Sequence, residues 1–128
     1  MAGMTSGSEV LGLTISGLSR AMHIGKGVIR MLNHPEYLCF RISKDRKSII
    51  IFPCEYSDPM SYRVPEGIFS DHHKTMRVFS KAFVREALLA NHLDVNSTYT
   101  VYGRYYARQN LVCFDLQEAF ENRMDSNS

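Results

Sequence analysis

The chain predicts a β-rich α+β fold built from two copies of one unit, and three observations carry that expectation. Leu11, Leu13 and Ile15 alternate with small or polar residues at the period of a half-buried strand, and similar stretches recur along the chain. Two segments, 26–32 and 81–90, instead place apolar residues at helical spacing. The chain also repeats itself. "IGKGVIR" (24–30) returns as "FSKAFVR" (79–85), with Lys26 over Lys81 and Arg30 over Arg85, and "YLCFRISKDRKSIIIF" (37–52) lies without a gap over "YTVYGRYYARQNLVCF" (99–114). The first pair of blocks is offset by 55 and the second by 62. The difference falls between the helix and the next strand, where insertions are tolerated best. The second offset expects Ile50 and Val112 on equivalent faces.

Each copy has the same order of elements. In the first, the strand through Leu11, Leu13 and Ile15 meets the turn residues "SGLSR", and Met22 to Ile24 begins a second short strand. In the second copy, Tyr62 to Val64 and Thr75 to Phe79 take those parts, separated by the longer loop "PEGIFSDHHK", whose Pro-Glu-Gly start reads as a turn. A helix follows in each: Val28, Ile29 and Leu32 form one apolar face, as do Phe83, Val84, Ala87 and Leu88. Gly25 and Ser80 stand at the two helix starts, Ser80 with a hydroxyl suited to capping. Asn33 before His34-Pro35 reads as a helix stop, because Asn tolerates the left-handed conformation and the residue before Pro avoids helix. Two further strands per copy are joined by "SKDRKS" and "RYYARQN", read as hairpin loops.

A length of 128 residues fits one domain with a real core, and 45% hydrophobic with 22% charged residues is ordinary for a globular chain. The expected organisation is a flexible N-terminus (1–10), a single domain of two repeats (11–54 and 60–116), and an acidic C-terminal tail (117–128). No apolar run approaches the roughly 20 residues of a membrane span, and the start lacks the pattern of a secretory leader. The expectation is therefore a cytoplasmic protein without membrane association. Cys39, Cys54 and Cys113 form no CxxC pair and read as reduced, buried thiols. The formal charge of +2 is uneven. Residues 16–53 hold seven Lys/Arg against two acidic residues, and residues 62–116 hold seven against five. That distribution is compatible with an anionic partner and with an ordinary solvated surface.

Strand, strand, helix and hairpin, with Ile24, Val28, Arg30 and Leu32 across the helix and Ser48 to Pro53 as the closing strand, resembles the AbrB/SpoVT family of DNA-binding domains. The chain departs from that pattern at Gly25, where the family has Pro, at Asn33, where it has Gly, and at Ser80 with a lengthened second helix. The resemblance spans roughly residues 11–54 and 60–116. It implies swapped hairpins interlocked into a β-barrel with one short helix per repeat. In a tandem copy the barrel would close with pseudo-twofold symmetry in one chain, similar to the duplicated arrangement of MraZ-type proteins. It also implies a function: a small transcriptional regulator that holds double-stranded DNA through basic residues of both repeats. The matching positions are Arg20, Lys26 and Arg30 in the first and Arg77, Lys81 and Arg85 in the second. A twofold arrangement would meet both strands equivalently. The alternative for Arg30 and Arg85 is to pair with carboxylates that tie the halves together.

Arg41, Lys44, Arg46 and Lys47 form a basic hairpin that reads as a solvated, aggregation-resistant edge. Nothing points to an enzyme, a cofactor or a metal: no GxSxG, HExxH, phosphate-binding loop or dinucleotide fingerprint occurs, and His72-His73 beside Asp71 lacks any further ligand spacing. Tyr99, Tyr102, Tyr105 and Tyr106 divide by alternation into core and outward rings, the outward ones able to stack on bases or anchor a protein. A second class of function stays open beside DNA binding. It is a protein-interaction module, such as an antitoxin or an inhibitor carried by a mobile element, and homo-oligomerisation is compatible with either.

Overall fold

Nine strands and two helices make up the computed structural model, which describes residues 10–69 and 75–122. In chain order they are β1 (Gly12–Ser16), β2 (Ala21–Gly25), α1 (Lys26–Met31), β3 (Tyr37–Ile42), β4 (Ser48–Pro53), β5 (Ser61–Arg63), β6 (Thr75–Phe79), α2 (Lys81–Ala90), β7 (Thr98–Tyr106), β8 (Leu111–Asp115) and β9 (Phe120–Glu121). Alternation produces the strands as expected: Leu13 and Ile15 in β1, Met76 and Val78 in β6, and Ile49 and Ile51 in β4 all turn inward. Every pairing is antiparallel. The order β5-β3-β4-β8-β7-β1-β2-β6 wraps into a nearly closed barrel, with β9 added against β7. Residues 1–9 and 123–128 lie outside the described residues, as do Asp71, His72 and His73. After a 3-10 turn over Leu116–Glu118, Phe120 and Glu121 of the expected tail pair with β7 as β9.

Both helices end in the same way. After α1, His34 N–H donates to the Ile29 carbonyl and Asn33 N–H to the Arg30 carbonyl, each at 3.0 Å. After α2, Leu93 N–H donates to the Leu88 carbonyl at 2.9 Å and His92 N–H to the Leu89 carbonyl at 3.2 Å. This doubled return is a Schellman motif, which needs a left-handed residue, supplied here by Asn33 (φ 67) and His92 (φ 58). Asn33 therefore stops its helix as expected. His34 also turns left-handed (φ 54) before its proline. Ser80 occupies the expected cap position, yet its hydroxyl accepts no hydrogen bond from the helix.

The sheet corrects the repeat alignment by one residue. Ile51, not Ile50, lies directly across from Val112, while Ile50 lies across from Cys113. Opposed residues share a face, so Ile50 and Val112 point to opposite sides, against expectation. The hairpins show why. Ser43 N–H bonds the Ser48 carbonyl around loop 44–47, and Tyr106 pairs with Leu111 around loop 107–110. Equivalent turns are thus 63 residues apart (43 to 106), and "RYY" belongs to β7 rather than to the loop. The same slip occurs earlier: buried Met22 and Ile24 of β2 correspond to buried Met76 and Val78 of β6, 54 residues on, and Ser80 is the extra residue that restores 55 at the helix.

With the turns matched, the cores of the two hairpins become complementary. Phe40 of β3 faces Ile51 of β4, whereas at the matching places Gly103 of β7 faces Phe114 of β8. Each hairpin inserts one ring into the barrel, from opposite strands. At Gly103 a Cβ would lie 2.7 Å from the Phe114 ring and 2.8 Å from the Val112 side chain. The residue is glycine because Phe114, fully buried, already fills that volume.

Candidate nucleic-acid interface

The six basic residues singled out in the sequence sort into two surface clusters and one outlying side chain. The first cluster joins the repeats. The β1–β2 turn carries Arg20, held in the left-handed region (φ 57), and its carbonyl accepts the Ser80 N–H at 3.1 Å. That bond docks the turn on the start of α2, and Lys81 and Arg85 rise from the first turn and a half of that helix. Arg20, Lys81 and Arg85 line one cleft of about 230 Å³, with Val84, Val95 and Asn96 completing it. The cleft closes at Gly17, whose N–H donates to the Ser97 carbonyl at 2.9 Å. A Cβ at Gly17 would lie 2.0 Å from the Val95 carbonyl oxygen, so only glycine lets these two backbones meet.

Charge in this cleft is one-signed. α2 opens with no acidic residue in its first turn, so the positive end of the helix adds to the three cations instead of being neutralised. The cleft built from the corresponding parts of the other half, namely the segment after β5, α1 and the segment before β3, is different. It measures about 310 Å³ and is lined by Glu36 and Glu66 as well as Arg63, His34 and Phe69. Arg63 and Glu66 pair there at 3.0 Å. Equivalent places in the two halves therefore carry unlike charge.

Lys26 and Arg30 form the second cluster, with His23, Thr75 and Tyr102, around a shallower depression of about 540 Å³. The Arg30 guanidinium lies 5.0 Å from the centroid of the Phe69 ring. Arg77 stands apart on β6, opposite His23 across the β2·β6 ladder and 5.6 Å from the Phe79 ring centroid. Partial burial, then the charge of Arg77, pushes the His23 imidazole below its ordinary value. By residue matching, Arg77 corresponds to His23 and not to Arg20.

The basic hairpin is partly spent on structure. Arg46 pairs with Glu86 of α2, and its carbonyl accepts the buried Asn91 side-chain amide at 2.9 Å. Arg41 lies 5.0 Å over the Phe52 ring. Arg41, Ile50, Cys113 and Arg104 form one transverse row on the outer face of β3, β4, β8 and β7, with an arginine at each end. Arg104 was missed in the sequence because the one-residue slip hid its match to Arg41. Of the tyrosines, Tyr99 is buried and Tyr105 half-buried, while Tyr102 and Tyr106 are exposed. The hairpin also brings Cys39 and Cys54 together beside Asp58, a grouping with no counterpart in linear spacing.

A scan against protein-family models, a search of curated proteins and a search of solved structures each returned no match to this chain.

Proposed function

We propose that the protein is a small DNA-binding regulator of AbrB-like type, a tandem swapped-hairpin barrel that holds duplex phosphates with Arg20, Lys81 and Arg85 and, on adjoining surface, with Lys26, Arg30 and Arg77. The observation that carries the reading is the meeting of Arg20 from one repeat with Lys81 and Arg85 from the other in a single cleft at a helix start. Three cations and a helix N-terminus with no competing carboxylate suit a phosphate oxygen. The unlike charge of the opposite cleft makes the contact lopsided, with the second repeat leading.

The interlocked-repeat part of the reading draws support from the strand order. Exchanging β1–β4 for β5–β8 turns β1·β7 into β5·β3 and β3·β4 into β7·β8, and leaves β2·β6 and β4·β8 unchanged. β1·β2 and β7·β9 have no observed counterpart among the described residues. Each half supplies a hairpin that pairs outward with the other half, as swapping requires. A cytoplasmic site of action accompanies a DNA partner.

The test is binding of a fluorescent duplex followed by anisotropy as salt rises. Affinity should fall linearly in log units, and Lys81→Ala and Arg85→Ala should each reduce the slope by about 0.9 while the melting temperature stays unchanged. Loss of both binding and melting temperature in Arg85→Ala would make that arginine part of the scaffold. Wild-type protein without salt-sensitive affinity for any duplex at micromolar concentration would reject DNA binding. It would favour the protein-interaction module, for which Tyr102 and Phe120, both about half exposed and 5.9 Å apart, offer an aromatic anchor.

A further inference from the structure

Cys39 lies on β3 between Phe52 of β4 and Ser61 of β5. Cys54 follows β4 directly, and its N–H donates to the Tyr37 carbonyl at 3.1 Å, so the hairpin ladder continues past Pro53 and carries one cysteine to the other. Asp58 enters from the next turn. Its Oδ2 accepts the Glu55 N–H at 3.0 Å, its own N–H donates to the Glu55 carbonyl at 3.0 Å, and its carbonyl accepts the Ser61 N–H at 3.1 Å. The side chain is thereby fixed over the thiols. One ligand atom from each of the three residues lies within 4.8 Å of the other two. Burial falls in order, from Cys39 through half-buried Cys54 to exposed Asp58, so the group opens to solvent on the carboxylate side.

We propose that Cys39, Cys54 and Asp58 form a binding site for a thiophilic divalent cation, zinc first among them, with water in the fourth position. Tetrahedral zinc with bonds of about 2.3 Å to sulfur sets neighbouring sulfurs about 3.8 Å apart. With the ligand atoms within 4.8 Å of one another, the two sulfurs need to close by no more than about 1 Å. The chemistry of the group points the same way. All three residues are anionic in the form that ligates, and among the described residues no basic side chain forms an ion pair with Asp58. A divalent cation displaces the thiol protons as it binds, so affinity falls as pH falls. Two sulfur ligands select zinc-like metals over magnesium or calcium.

The test is anaerobic titration of the reduced, full-length protein with Co²⁺, read by its thiolate charge-transfer absorption, followed by Zn²⁺ competition. The expected result is saturation at one equivalent and displacement by Zn²⁺. Cys54→Ser should abolish the band and Asp58→Asn should weaken binding by more than about tenfold, while Cys113→Ser on β8 leaves it intact. Asn at 58 keeps an oxygen acceptor for the Glu55 N–H, so that variant separates ligation from folding. Absence of the band, its loss in Cys113→Ser, or unchanged affinity in Asp58→Asn would each overturn the site.

Discussion

Gly103 and Phe114 should behave as one unit, and the other hairpin says how to exchange them. A methyl at Gly103 would meet the Phe114 ring at 2.7 Å and Val112 at 2.8 Å, well inside ordinary contact, in a place where neither neighbour can swing to solvent. Gly103→Ala alone is then an overpacking change and should cost about 1–3 kcal/mol. Phe114→Ile alone removes part of a fully buried ring and should cost less than the roughly 3–5 kcal/mol of a full Phe→Ala truncation. The double substitution brings the site toward the Phe40 and Ile51 arrangement, since the shorter side chain at 114 vacates the space the methyl needs. It should therefore be more stable than the sum of the single losses by at least about 1 kcal/mol. Urea unfolding of the four proteins, followed by circular dichroism, completes the cycle. Additivity within about 0.5 kcal/mol, or a neutral Gly103→Ala, would refute the claim that the two hairpins exchange the strand that donates the ring.

Two further outcomes follow from the geometry. His23 has its imidazole held below the ordinary value of 6.5, by burial and then by Arg77, so the unfolded chain takes up the proton more readily than the folded one. Stability should be unaffected above about that value, decline as pH falls through it, and level off below the folded value. His23→Gln should remove that decline, and a melting profile that keeps it would place its origin elsewhere. Truncation after residue 58 strips β1 of β7, β2 of β6 and β4 of β8. The fragment should be unfolded or dimeric by analytical ultracentrifugation, and a folded monomer would contradict the interlocked reading.

The sequence revealed elements better than it revealed relations between them. Lys81 to Ala90 was legible as a helix because Val84, Ala87 and Leu88 keep one face, and Leu13 and Ile15 announced a strand by alternation. The alignment, however, was anchored on matching letters, Tyr37 with Tyr99 and Phe52 with Phe114. A sheet matches faces, and the aromatic in question had changed strands, so identity led one residue astray. The basic cleft was equally hidden. Nothing in the spacing of Arg20 and Lys81 says that they meet; the β2·β6 ladder and the Ser80 bond to the Arg20 carbonyl bring them together. The nearness of Cys39 and Cys54 was hidden for the same reason, since a hairpin's register and not a motif makes them neighbours.

The interleaved strand order also dictates when the protein can fold. Leu13 of β1 pairs with Val101 of β7, 88 positions later. At roughly 5–20 residues per second of synthesis, β1 waits about 4–18 s on the nascent chain before its outer partner exists. Hairpins β3–β4 and β7–β8 close over four-residue loops and form as soon as each emerges, whereas the ladders that seal the barrel are all long-range, the regime of slow folding. The first half must leave the ribosome with Met22, Ile24 and Ile51 still uncovered by β6 and β8. Its release is a window for chaperone capture, or for pairing with the first half of a sister chain on the same message.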